Sequence, residues 1–170
     1  MKQRALVALL PIALLLAAGC GGTSMSQLKA LVRASFPGVP QMSVEELDRR
    51  LKNETPPLII DVREPFEYEV SHLPGAVHAQ GAEIASLITD AEPDRPVVLY
   101  CSVGYRSSAA VADLIQLNDP GIGGRVWNLE GSIFEWANSG RAVYRGEKQV
   151  GEVHPYGKQW SKLLDPRLRP

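Results

Sequence analysis

Apolar residues recur along this chain in two periods, one helical and one strand-like, and the two alternate. Over 25–36, Leu28, Leu31, Val32 and Phe36 fall at helical spacing, and Pro37-Gly38 ends the run. Ser43-Val44-Glu45-Glu46 has the form of a capping box and predicts a second helix through Leu51. Short apolar runs predict strands at 58–62, 97–100 and 125–129, with a shorter one near 77–79. Helical patterns fall at 82–89, 107–117 and 132–139, the last closed by Gly140. Strands and helices alternating over short links predict an α/β fold around a parallel sheet, with 97–100 as its buried central strand. A ligand site then belongs at the carboxyl ends of the strands. Beyond Gly140, residues 142–153 predict a small hairpin turning at Gly146. The stretch containing His154, Tyr156, Trp160 and Leu163-Leu164 has too many aromatic and apolar residues for a disordered tail.

The central strand delivers the candidate chemistry. Val97-Val98-Leu99-Tyr100 runs into Cys101, and Ser102-Val103-Gly104-Tyr105-Arg106-Ser107 follows before the next helical pattern. A lone cysteine after an apolar strand is usually a buried core thiol, but a cysteine at a strand end followed by a tight glycine-bearing loop and a helix is how a chain builds a thiolate nucleophile inside an anion cradle. Successive loop N–H groups converge on one point, and the positive end of the helix dipole faces it. With Arg106, they lower the thiol pKa and favour the reactive thiolate. Ser107 is expected as the N-cap of that helix.

The loop from Cys101 to Ser107 resembles the active-site loop of the rhodanese (sulfurtransferase) family. A second block, Asp61-Val62-Arg63 with His72-Leu73-Pro74-Gly75-Ala76, is similar to the family's Asp-Val-Arg and His-Ile-Pro-Gly-Ala signature. A third, Val126-Trp127-Asn128-Leu129-Glu130-Gly131-Ser132-Ile133 with Trp136, resembles the segment after the catalytic helix. The likeness covers roughly 42–140 and implies a rhodanese-like α/β fold, a central parallel sheet with helices on both faces. It implies that Cys101 takes sulfane sulfur from a small donor such as thiosulfate, holds it as a persulfide, and passes it to cyanide, a thiol or a protein acceptor. The backbone of Ser102, Val103, Gly104, Tyr105, Arg106 and Ser107 then cradles the persulfide anion. Four residues separate Cys101 from Arg106. Phosphatases that share this fold place one more there, and in the family the smaller ring goes with sulfur rather than phosphate.

The remaining motif residues divide between structure and chemistry. Asp61 and Arg63 are expected to support the site from a strand end, as a charged pair. His72 belongs to the turn into Pro74-Gly75 rather than to acid–base work, and Gly75 supplies a positive φ. Val103 and Tyr105 are expected at the mouth, where they shape access. The family often has two glycines where this chain has Gly131-Ser132; a serine there permits the turn if its φ is negative. The alternative to an enzyme is a non-catalytic sulfur-relay or protein-binding module with the same cradle. The tail is expected to pack on the domain, or, more pointedly, to fold His154, Tyr156 or Trp160 over the active loop.

The amino terminus changes the setting. Lys2 and Arg4 precede an almost wholly apolar run from Ala5 to Ala18, shorter than the about 20 residues of a comfortable membrane span. It reads as a secretory signal, and Leu16-Ala17-Ala18-Gly19-Cys20 resembles a bacterial lipobox. The expected organisation is a lipoprotein-type signal peptide at 1–19, a tether and helix at 20–41, the rhodanese-like domain at 42–140, and a C-terminal extension at 141–170. Cys20 would carry the lipid that anchors the protein to the membrane of a bacterial envelope, at its periplasmic face where the cell has two membranes, with the outer membrane favoured. With one of the two cysteines lipidated and the other the nucleophile, no disulfide is expected. The formal charge is −1, so nothing points to nucleic acid. No metal-ligand spacing is present, and no cofactor is expected.

Overall fold

In the computed structural model, residues 23–170 are described. Helix α1 (Met25–Ser35) opens with a true capping box, Ser24 accepting from the Gln27 N–H while Gln27 receives the Ser24 N–H. Strand β1 (Gln41–Met42) and helix α2 (Val44–Arg50) follow. Ser43 caps α2 by accepting from the Glu46 N–H at 3.2 Å, but the box expected there is only half formed. The Glu46 carboxylate turns to Arg49 and Arg50 instead.

The framework then runs β2 (Leu58–Asp61), α3 (Pro65–Val70), β3 (Val77–His78), α4 (Ala82–Asp90), β4 (Val97–Tyr100), α5 (Tyr105–Gln116), β5 (Val126–Leu129) and α6 (Ser132–Asn138). The sheet order is β1-β5-β4-β2-β3, every pair parallel. Strand β4 is central and all four of its residues are buried, as its unbroken apolar run requires. Its side chains alternate. Val98 and Tyr100 join α1, α2 and α6 in one cluster, while Val97, Leu99 and Cys101 join α4 and α5 in the other. The fold is thus α/β, a parallel sheet with helices on both faces. Each fully buried Val, Leu or Ile contributes about 1.5–3 kcal/mol, so the two clusters leave the end of β4 a firm platform.

The termini close the same core. Leu28 and Val32 of α1 are buried in the first cluster. Lys29 reaches Glu135 at 2.7 Å, and Arg33 pairs with Glu130, tying α1 to the β5–α6 turn. Strands β6 (Val143–Arg145) and β7 (Lys148–Val150) form the expected hairpin, turning through Gly146 at φ +59°. A backbone bridge from Tyr144 to His72 docks it on the domain. Two short 3₁₀ turns, Trp160–Leu163 and Pro166–Leu168, complete the chain.

Candidate functional site

The site starts from a glycine. Gly104 adopts φ +100°, which a side-chain-bearing residue rarely does, and this reversal lets α5 begin at Tyr105. Ser107 is therefore not the N-cap. It lies in the first helical turn, with its hydroxyl buried. The tight turn folds the loop back over Cys101, whose sulfur accepts the Gly104 N–H at 3.2 Å. The N–H groups of Val103 and Ser107, and the Ser107 hydroxyl, also lie close enough to favour charge on it. Burial pushes the thiol up; the Arg106 guanidinium and these donors outweigh it and hold the thiol below its ordinary value. Cys101 is a free thiol and only 1% exposed.

A second layer holds the cradle in place. The Cys101 N–H donates to Ser132 Oγ at 3.2 Å, and that hydroxyl donates to the Leu129 carbonyl at 3.0 Å. The Ile133 and Phe134 N–H groups at the start of α6 bond the carbonyls of Cys101 and Ser102. Ser132 itself has φ +52°, so the negative φ expected for a serine in place of glycine is not what the fold uses. Its two hydrogen bonds offset the left-handed backbone, and they link the Cys101 amide to β5.

Arg106 has a partner that the motif reading left without a role. Glu67, fully buried on α3, takes both terminal nitrogens of Arg106, at 2.7 and 2.9 Å. Ser102 Oγ donates to Glu67 at 3.0 Å and accepts from Arg106 at 3.0 Å. Burial pushes the Glu67 carboxyl up, but Arg106 and the Glu64 N–H more than reverse this and hold it below the usual carboxylate range. Arg106 thus lends its charge to Cys101 while its fork stays on Glu67. The clue lay in the helix start, since Glu67 stands three residues after Glu64 and bonds its N–H at 3.1 Å.

Asp61 and Arg63 form the expected pair, fully buried, with Arg63 bonding both carboxylate oxygens and the Ser71 carbonyl. They brace the end of β2 against the turn before His72. The Tyr100 hydroxyl, pushed up by burial and by Asp61, stays protonated and accepts the Leu73 N–H at 3.1 Å. His72 stacks on Tyr68 at 4.3 Å and faces the Leu73 carbonyl, so it belongs to this brace. Gly75 has the expected positive φ, +67°.

The mouth differs from the sequence expectation. Val103 is buried in the first cluster, and the Tyr105 ring packs edge-on against Phe36 at 5.0 Å. Tyr105 turns inward because Phe36, at the end of α1, offers its ring apolar cover. The aromatic ring over Arg106 is Tyr156, 4.3 Å from guanidinium carbon to ring centroid. His154 meets Phe66 at 5.2 Å, whereas Trp160 packs into the first cluster. Cys20 and the signal peptide expected at 1–19 lie outside the described residues.

Residues 43–139 match the family profile of the Rhodanese-like domain. A sulfurtransferase of Allochromatium vinosum is 34% identical over 109 residues, 64% of this chain and 98% of that protein. The thiosulfate sulfurtransferase GlpE of Pseudomonas entomophila is 30% identical over 97 residues, 56% of this chain and 81% of that protein. Among solved structures, a rhodanese-related protein of Thermoplasma volcanium aligns with a TM-score of 0.51 and 27% identity, covering 62% of this chain and 98% of that one.

Proposed function

We propose, for a chain that belongs to the rhodanese-like domain family, that it moves sulfane sulfur through a persulfide on Cys101. The observation that carries this reading is the Cys101 thiol, held below its ordinary pKa in a cradle of loop N–H groups beside Arg106. The thiolate attacks the outer sulfur of a donor such as thiosulfate. The new S–S bond forms as the old one breaks, and its electron pair leaves on sulfite. The loop N–H groups hold the anionic persulfide. A thiol or cyanide then attacks the terminal sulfur, leaves as a persulfide or thiocyanate, and returns Cys101 as the thiolate. Asp61 and Arg63 support the site, and Ser102 and Glu67 anchor Arg106.

Intact mass of the full chain before and after thiosulfate, beside Cys101→Ser, tests this. One added sulfur, absent in the variant and released by cyanide, is expected. No added sulfur on an alkylatable Cys101 overturns the small-donor reading. It would favour the rival, a relay module loaded by a partner protein, to which the exposed Phe66 (55%) and Tyr156 (45%) lend support. We place the reaction in a bacterial envelope, with Cys20 lipidated; fractionation of cells fed a lipid label, with Cys20→Ser beside the parent, checks that.

A further inference from the structure

The C-terminal segment crosses the site between two anchors. Val153 is fully buried, and its N–H donates to the Leu168 carbonyl at 2.8 Å. Further on, Leu164 is buried, and Asn138 bonds both the Leu163 carbonyl and the Asp165 N–H, at 2.7 and 2.8 Å. Between these anchors the chain makes one tight arch. The Gly157 N–H donates to the Pro155 carbonyl at 2.7 Å, and Tyr156, the residue between, has φ +60°. This is a γ-turn of the rare, strained hand, in a region that bulky side chains seldom occupy. The Tyr156 N–H is held by His154 Nδ1 at 3.1 Å, and His154 rests on Phe66.

A glycine would make the same turn without strain. The tyrosine instead puts its ring on Arg106, whose terminal nitrogens are already taken by Glu67 and Ser102. Little of Arg106 is left to reach a substrate, and one face of its guanidinium is covered by a ring. From this geometry we infer that Tyr156 is a selectivity residue: its ring roofs the Arg106 side of the cradle and restricts Cys101 to donors of thiosulfate size, against aryl thiosulfonates. The inference rests on reading the site as a sulfurtransferase. An aryl thiosulfonate reacts by the same displacement, with the arylsulfinate leaving, so only the bulk beyond the reacting sulfur differs. Tyr156 touches Arg106 and not the reacting sulfur; it acts by position.

Tyr156→Gly suits the positive φ and removes the ring, while Tyr156→Phe keeps the ring. In the full-length protein, two rate ratios are measured for parent and variants. One is persulfide formation from benzenethiosulfonate against thiosulfate; the other is Cys101 alkylation by N-phenylmaleimide against iodoacetamide. Tyr156→Gly is expected to raise both bulky-to-small ratios about tenfold, and Tyr156→Phe to leave them within roughly twofold. An alkylation ratio in Tyr156→Gly within roughly twofold of the parent overturns the roof, whatever the sulfur chemistry. A raised alkylation ratio with no persulfide in any variant keeps the roof and overturns the sulfurtransferase reading.

Discussion

Removing the Arg106 charge takes away the largest influence that opposes burial at the Cys101 thiol. The thiolate is the reactive form, so its rate of alkylation rises with pH through the thiol pKa and then levels. Arg106→Met is expected to move that profile to higher pH, read as iodoacetamide rate against pH. A profile unmoved by the substitution would show that the loop N–H groups alone set the thiol. The Asp61–Arg63 pair acts on stability instead. Asp61→Ala leaves a buried guanidinium without its carboxylate and is expected to cost about 3–5 kcal/mol in urea unfolding. Where the variant remains folded, its alkylation profile should stay that of the parent, because neither residue touches the cradle. Ser132→Gly relieves a left-handed serine but frees the Cys101 N–H. The two effects oppose, so stability should change by less than about 1 kcal/mol while persulfide loading slows.

At the scale of elements, the site is a junction of three pieces: the end of β4, the first turn of α5, and the start of α6. Two glycines let them meet, and they fail differently. A Cβ at Gly104 would find its nearest neighbour at 3.4 Å, so there the penalty of Gly104→Ala is backbone conformation, about 1–2 kcal/mol. A Cβ at Gly131 would lie 1.8 Å from Glu135 Oε2 and 2.6 Å from its Cβ, so Gly131→Ala must also displace the first turn of α6. Gly131→Ala should therefore unfold at lower urea than Gly104→Ala, whereas Gly104→Ala should be the more damaging to thiol reactivity, since its N–H faces the sulfur. Equal effects of both on both measurements would contradict this division. The sequence placed five of the helices to within a turn, but it did not mark α3 (Pro65–Val70), the helix that carries Glu67, nor the cap of α5. At the α5 cap the reason is Gly104: a positive φ displaces the cap by three residues from the serine that local preference selects.

Across the whole molecule, the extension belongs to the core. Val153 and Leu164 are buried with Phe134 and Leu28, so cutting the chain at Gly151 removes two core side chains along with Tyr156. That truncation is expected to cost at least about 4 kcal/mol, a fall in Tm on the order of 10 °C, which is why single substitutions isolate the role of the arch. Acid stability has a global term too. The Glu67 carboxyl is held below its ordinary range in the folded protein, so its contribution is complete above that range and is lost as pH falls through the depressed value. Glu67→Gln should flatten the acid limb of urea midpoint against pH. The sequence alone determined the alternation of strands and helices, the central strand, and the loop that follows Cys101, because each is written in local period or contiguous motif. It also paired Asp61 with Arg63, two residues apart. Only the tertiary structure joined Glu67 to Arg106, Ser132 to the Cys101 amide, and Tyr156 to the rim. These partners lie 39, 31 and 50 residues apart, and it is the packing of α3, α6 and the C-terminal arch around one strand end that brings them together.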